Sequence, residues 1–185
     1  MTRRHTPTFR ELTTREAHAL LERNHVGRIA YSFRNRVDIE PISYVFADGA
    51  IYMRTAPGTK LTLLARVPWV AFEVDEVEGP FDWRSVVAHG TVYVVENAGS
   101  DDDRKRYAHA VKRLRELSPV ALMPGDPVPE RRVVLKLHLS EIVGREAHPA
   151  VPAKRAKKKA TRLRIAKKAG VAKKRVARKA VSRRA

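Results

Sequence analysis

Six short stretches in which apolar and polar residues alternate, separated by turn residues, narrow the folds open to this chain. They run from Arg28 to Phe33, Val37 to Phe46, Ala50 to Arg54, Trp69 to Val77, Arg84 to Val95 and Arg132 to Leu139. A period of two puts successive side chains on opposite faces of a strand, so each stretch buries one face. In the fourth, Val70, Phe72 and Val74 alternate with Glu73 and Asp75; in the sixth, Val133, Leu135 and Leu137 alternate with Val134, Lys136 and His138. The turns Arg34-Asn35-Arg36, Asp48-Gly49 and Gly79-Pro80 join neighbouring stretches as hairpins, which makes the order antiparallel. Gly90 interrupts the fifth stretch and predicts a bulge or a close backbone approach. Six short antiparallel strands predict a small barrel, because closing the sheet removes exposed edges.

Three helices accompany the strands. Thr13 and Glu16 form a capping box, and Ala17, Leu20, Leu21 and Asn24 follow at helical spacing up to His25-Val26-Gly27. A second, small helix after the turn-rich Thr55 to Lys60 connector carries Leu61, Leu64 and Ala65 and ends before Pro68. The third opens on Asp101, Asp102 and Asp103, whose charges suit a helix N-terminus, and buries Tyr107, Ala110 or Val111, Leu114 and Leu117. Consecutive aspartates on a helix fan outward, so this triplet does not converge on a metal ion. The expected fold is therefore mainly β with peripheral helices.

Charge divides the chain in two. Ala153 to Ala185 holds sixteen Lys or Arg and no Asp or Glu, and removing those sixteen from 38 basic residues leaves 22 against 20 acidic ones. The net charge of +18 thus falls to +2 without this stretch. We divide the sequence into an N-terminal arm (1–10), one domain (11–147) and a basic tail (148–185). The tail is too poor in apolar residues to offset its ordering entropy and is expected to be disordered. Its clusters Lys157-Lys158-Lys159, Lys167-Lys168 and Lys173-Lys174-Arg175 suit phosphate neutralisation with little sequence preference, hence binding to DNA or RNA. A solvated polycation and an anionic membrane surface are the competing readings, but the tail has no aromatic residue and Leu163 is a poor anchor. In composition it resembles the lysine- and alanine-rich tails of linker histones and of some actinobacterial nucleoid proteins.

Several chemistries are excluded or disfavoured. The chain has no cysteine, hence no disulfide, thiolate metal site or thiol nucleophile. No apolar run approaches the ~18 residues of a membrane span, and no apolar stretch follows the basic start as in a secretory signal. A cytoplasmic location, with nucleoid association through the tail, is the expectation. His25, His89 and His138 are scattered without paired ligand spacing. Walker, Rossmann and hydrolytic-triad motifs are lacking, so a cofactor has to carry any redox chemistry.

Three segments carry candidate site residues. They are Pro41-Ile42-Ser43-Tyr44, the run from Tyr52 through Arg54, Thr55, Gly58 and Thr59 to Lys60, and Trp83 to Gly90 with Ser85 and Val86. A strand ending in Arg54 and Thr55, a Gly-containing turn and a helix start beside Lys60 together offer a guanidinium, hydroxyls, backbone N–H groups and an ammonium to a phosphate. With the closing stretch Leu137 to Arg145, these segments resemble the FMN-binding split barrel of the pyridoxamine 5′-phosphate oxidase-like family, nearest its nitroimidazole-resistance branch. The resemblance implies a six-stranded antiparallel split β-barrel and a homodimer with the cofactor at its interface. It assigns Arg54, Thr55, Thr59 and Lys60 to the FMN phosphate, Pro41 to Tyr44 to the isoalloxazine edge, and Trp83, Ser85 and Val86 to the cofactor. Function is then that of an FMN-dependent oxidoreductase acting on a small molecule. The barrel ends at Gly144-Arg145 without the Arg- and Trp-containing segment of true pyridoxamine phosphate oxidases, which argues against vitamin B6 oxidation. A deazaflavin or haem in the same fold, and a non-enzymatic nucleoid-associated dimer, are the alternatives.

Overall fold

The computed structural model describes residues 6–149. The tail clusters from Lys157 to Arg175 lie outside them. The elements in order are β1 (Thr8–Glu11), α1 (Thr14–Arg23), β2 (Val26–Phe33), β3 (Arg36–Ala47), β4 (Ala50–Thr55), α2 (Thr59–Arg66), β5 (Trp69–Gly79), β6 (Asp82–Val95), α3 (Asp101–Leu117) and β7 (Val133–His148). All pairings are antiparallel, in the order β1-β7-β4-β3-β2-β5-β6, and β6 also pairs with β7. That last pairing closes β2 to β7 into a six-stranded barrel.

The expected six strands are present and a seventh adds to them. β1 is four exposed residues without alternating burial, so it left no periodic signal. It is held by pairing Thr8 to Glu11 with His148 to Arg145. β7 also runs well past Leu139, because its second half keeps pairing with β6 from His89↔Glu141 to Trp83↔Ala147. The β2–β3 and β3–β4 turns use left-handed backbone: Arg34 and Asn35 have φ of 48° and 62°, Asp48 and Gly49 of 53° and 69°. Two successive positive φ values give the twist that tight hairpins require.

Ile29, Ile42, Tyr44, Ile51, Met53, Val70, Phe72, Val74, Val86, Leu135 and Leu137 point into the barrel. Helix α1 plugs one end with Ala17, Leu20 and Leu21, and the Tyr44 hydroxyl donates to the Leu21 carbonyl at 2.9 Å. Its capping box is formed as expected, with Thr13 and Glu16 each receiving the other's backbone N–H. At Gly90 the β6–β7 register shifts, and a Cβ there would stand 1.9 Å from the His138 carbonyl oxygen. Only glycine lets the two backbones meet at this seam.

Helix α3 lies on the outer face of the barrel. Ala110, Val111 and Leu114 pack on Ala50, Tyr52 and Val134, so Val134, although opposite the interior set, is buried too. Leu117, expected in this stripe, is instead exposed at the helix end. Near β1 the Glu146 side chain is only 1% exposed and receives Arg10, Arg84 (3.0 Å) and His148 (2.7 Å). These contacts bind β1, β6 and β7 together around one carboxylate. Among the described residues, no helix is long and apolar enough to cross a membrane.

Candidate functional site

Helix α2 begins immediately after the β4 strand and its turn, and its N-terminus carries no side-chain cap. Its first N–H groups therefore have no side-chain acceptor. A Cβ added to the preceding Gly58 would meet nothing within 4 Å, so the space above the turn is open. A cleft of about 490 Å³ lies there, lined by Tyr31, Arg36, Asp38, Ile39, Glu40, Thr59, Lys60 and Leu63. Lys60 Nζ donates to Glu40 at 2.9 Å, and Glu40 also accepts a short hydrogen bond from the Tyr31 hydroxyl. These contacts, Lys60 first, hold the Glu40 carboxyl below the usual range, while burial and then the Glu40 contact push the Tyr31 phenol up. Arg36 likewise pairs with Asp38 at 2.9 Å. Both cations of the cleft thus already face a carboxylate.

The structure brings Thr59 and Lys60 into this cleft and sends Arg54 elsewhere. Arg54 and Thr55 are successive strand residues and point to opposite faces. Thr55 is buried. The Arg54 guanidinium grips both carboxylate oxygens of Asp126, with side chains only 11% and 3% exposed. Asp126 also accepts from the N–H groups of Leu122 (2.8 Å) and Val128 (3.1 Å), and Arg54, the largest influence, drives its carboxyl far below the usual range. This pair fastens the loop between α3 and β7 against the end of β4. Asp126 lies in the Pro-rich Pro119 to Pro129 stretch, 72 positions from Arg54, so local sequence gave no sign of it.

The Pro41 to Tyr44 segment divides by strand alternation. Ile42 and Tyr44 face the core, whereas Pro41 and Ser43 are exposed on the outer face, in line with Ile39 of the cleft. On β6, Val86 is a core residue and Ser85 lies outward, donating to Glu73 at 3.1 Å. Trp83 packs its ring 6.3 Å from that of Phe9. Pro41 and Ser85 thus share one outer face but stand three strands apart in the order β3-β2-β5-β6. At ~4.8 Å per strand spacing this is about 14 Å. Between them Arg28 pairs with Glu73 (3.0 Å) and Asp75 (2.6 Å), an island of charge on a face that also exposes Val26, Ile39, Trp69 and Val77. The sequence reading missed this cluster because Arg28, Glu73 and Asp75 each look like ordinary solvated strand residues.

Among the described residues no cluster of His, Asp or Glu is arranged to hold a metal ion. His89 comes within 3.7 Å of Glu141, and its Nδ1 has no hydrogen-bond partner.

A closed six-stranded antiparallel barrel with an uncapped helix start and a lysine beside it defines a split-barrel protein with a polar cleft at the start of α2. The pyridoxamine 5′-phosphate oxidase family model matches residues 13–146, and the chain belongs to that family. No curated protein sequence matches it significantly. Among solved structures, a FAD-binding protein from Mesorhizobium loti shares 24% identity over 76% of this chain and 99% of its own, with a TM-score of 0.62. A candidate pyridoxamine 5′-phosphate oxidase from Corynebacterium glutamicum shares 26% identity over 78% and 96%, with a TM-score of 0.53. A candidate 5-nitroimidazole antibiotic resistance protein from Bacteroides thetaiotaomicron shares 16% over 76% and 88%, with a TM-score of 0.58.

Proposed function

We propose that the chain is a flavin-dependent oxidoreductase of a small molecule, holding FMN, or the phosphate-bearing portion of FAD, at the α2 cleft. The observation that carries this is the uncapped α2 N-terminus, open above Gly58, with Thr59 and Lys60 at its first turn. Backbone N–H groups, a hydroxyl and an ammonium converge there, which suits a dianionic phosphate. Lys60 would release Glu40 to take the phosphate, and Thr59 would donate its hydroxyl. The exposed row Ile39, Pro41 and Ser43 leads away from the cleft along β3 and offers its outer surface to the isoalloxazine. Arg54, whose charge is met by Asp126, acts as a brace that sets the end of β4 from which the turn departs. Deazaflavin carries the same phosphate chemistry, so spectral identification of the ligand separates it from FMN and FAD.

When bound, a flavin supplies hydride acceptance and donation. The chain binds and orients it; no acidic or basic side chain is assigned a proton transfer. The outer face of β3, β2 and β5 carries Val26, Val37, Ile39, Trp69 and Val77, all exposed among the described residues. We place the homodimer contact on this face, because a second copy there would cover the apolar patch and bring a partner's β6 to the row on β3. Pro41 and Ser85 lie three strands apart, about 14 Å across the strands alone, and offset by two residues along them, which supports a site shared between two chains.

The basic tail adds a nucleic-acid-binding function, supported by its sixteen Lys or Arg without an acid. Two tails per dimer raise affinity through effective concentration. The test is a comparison of the full chain with a truncation after Pro149, by retention on duplex DNA across a salt series and by flavin content. The truncation should lose the salt-sensitive retention and keep its flavin. Equal retention would overturn the tail assignment, and absence of flavin from both forms would overturn the oxidoreductase reading.

A further inference from the structure

We propose that the groove between α3 and the outer face of β4, β7 and β6 is a second ligand site, built for a small planar organic anion of the aromatic carboxylate class. The groove holds about 800 Å³, more than the roughly 490 Å³ of the α2 cleft, and the two share no lining residue. Small-molecule sites typically span ~300–1,000 Å³. This inference does not depend on what occupies the α2 cleft.

Lys136 gives the groove its affinity for an anion. It sits in β7 with Tyr52 opposite it on β4 and Tyr93 opposite it on β6, forming the groove floor. Its ammonium is 5.8 Å from the Tyr52 ring centroid, and among the described residues it has no ion pair. Lys136 is half-buried as a residue, and its ammonium, held near an aromatic ring with no carboxylate of the described residues beside it, is open to pairing with the carboxylate of a ligand. Lys105 and Arg106 also line the groove from the α3 wall, each paired within the helix, Lys105 with Asp102 at 3.4 Å and Arg106 with Asp103. Of the two carboxylates in the lining, Asp103 is already engaged by the Ser100 hydroxyl at 2.7 Å and by Arg106 at 2.5 Å. Glu96 is the other.

The opposite end of the groove suits a planar apolar body. Tyr93 is 54% exposed and Val94 43% exposed, and both line the groove beside Val95 and Ala110. Large apolar side chains left in water beside a cationic floor match a ring that stacks on Tyr93 while its carboxylate reaches Lys136. A nucleic-acid strand is disfavoured by Asp101, Asp102 and Asp103 at the start of the α3 wall.

The probe is naphthalene-2-carboxylate, titrated by its fluorescence into the full chain with and without saturating FMN. Its neutral analogue, 2-naphthalenemethanol, is the control. We expect one saturable site per chain, binding of the carboxylate well above that of the alcohol, and no displacement by FMN. Lys136→Met, which keeps the apolar stem, should weaken binding about tenfold, and Tyr93→Ser should weaken it several-fold, both with native circular dichroism. No saturable binding, equal binding of the alcohol, unchanged affinity in folded Lys136→Met, or displacement by FMN would each overturn the proposal.

Discussion

Glu40 and Lys60 should have opposite effects on flavin affinity when each is neutralised. Their ion pair spans 2.9 Å, and Lys60 is the more sheltered partner, 16% exposed against 42% for Glu40. A phosphate bound at Lys60 gains a charge-assisted hydrogen bond of about 1.5–3 kcal/mol, so Lys60→Met should weaken FMN binding roughly 10- to 150-fold. Glu40→Gln removes the competing carboxylate and the repulsion it exerts on the phosphate. Water screens so exposed a group, which limits the gain to about 1 kcal/mol or less, a tightening of up to roughly fivefold. Because Lys60 and then Tyr31 hold the Glu40 carboxyl low, it stays ionised throughout the neutral range and the gain should not vary with pH there. Quenching of flavin fluorescence gives the affinities, with riboflavin as the phosphate-free control. Riboflavin should distinguish neither variant from the parent. Weakening by Glu40→Gln, or equal effects on FMN and riboflavin, would refute the assignment of the phosphate to Lys60.

Further consequences concern the scaffold. Glu146→Ala removes the carboxylate shared by Arg10, Arg84 and His148, but those partners are 49%, 46% and 42% exposed and can be rehydrated. The loss in urea denaturation should therefore be about 1–2 kcal/mol, below the ~3–5 kcal/mol of a buried pair whose remaining charge stays buried. Gly90→Ala forces the His138 carbonyl away from the seam and should cost about 3 kcal/mol, read as a lower denaturation midpoint with an unchanged slope. Arg23, followed by Asn24, lowers the Glu76 carboxyl from 4.5 to about 2 against the opposing effect of burial. A carboxyl depressed on folding stabilises above its unfolded value, so this contribution is full above pH 4.5 and is lost as pH falls toward 2. Glu76→Gln should flatten the acid limb of the stability profile over that interval.

Most of the barrel was legible because half-buried strands write a period of two, as Val70, Phe72 and Val74 do against Glu73 and Asp75. Gly90 announced the seam for the same reason: a strand interior tolerates glycine poorly unless a backbone must pass close by. β1 was not legible, since four residues exposed on both faces carry no pattern and are held by pairing alone. At the candidate site, alternation shows that Ile42, Tyr44 and Val86 are turned into the core while Pro41, Ser43 and Ser85 face outward. The engagement of Arg54 by Asp126 and of Lys60 by Glu40 was hidden, because both partners come from distant positions brought together only by the fold. Charge composition gave the tail its reading without any fold.

The most direct test of the flavin assignment is the absorption spectrum of the purified full chain after reconstitution with FMN, with the released ligand identified by mass spectrometry. A flavin spectrum at one cofactor per chain, lost in Lys60→Met and regained at higher FMN concentration, is the expected result. Failure to bind FMN, FAD or deazaflavin at any concentration, with the protein folded, would contradict it.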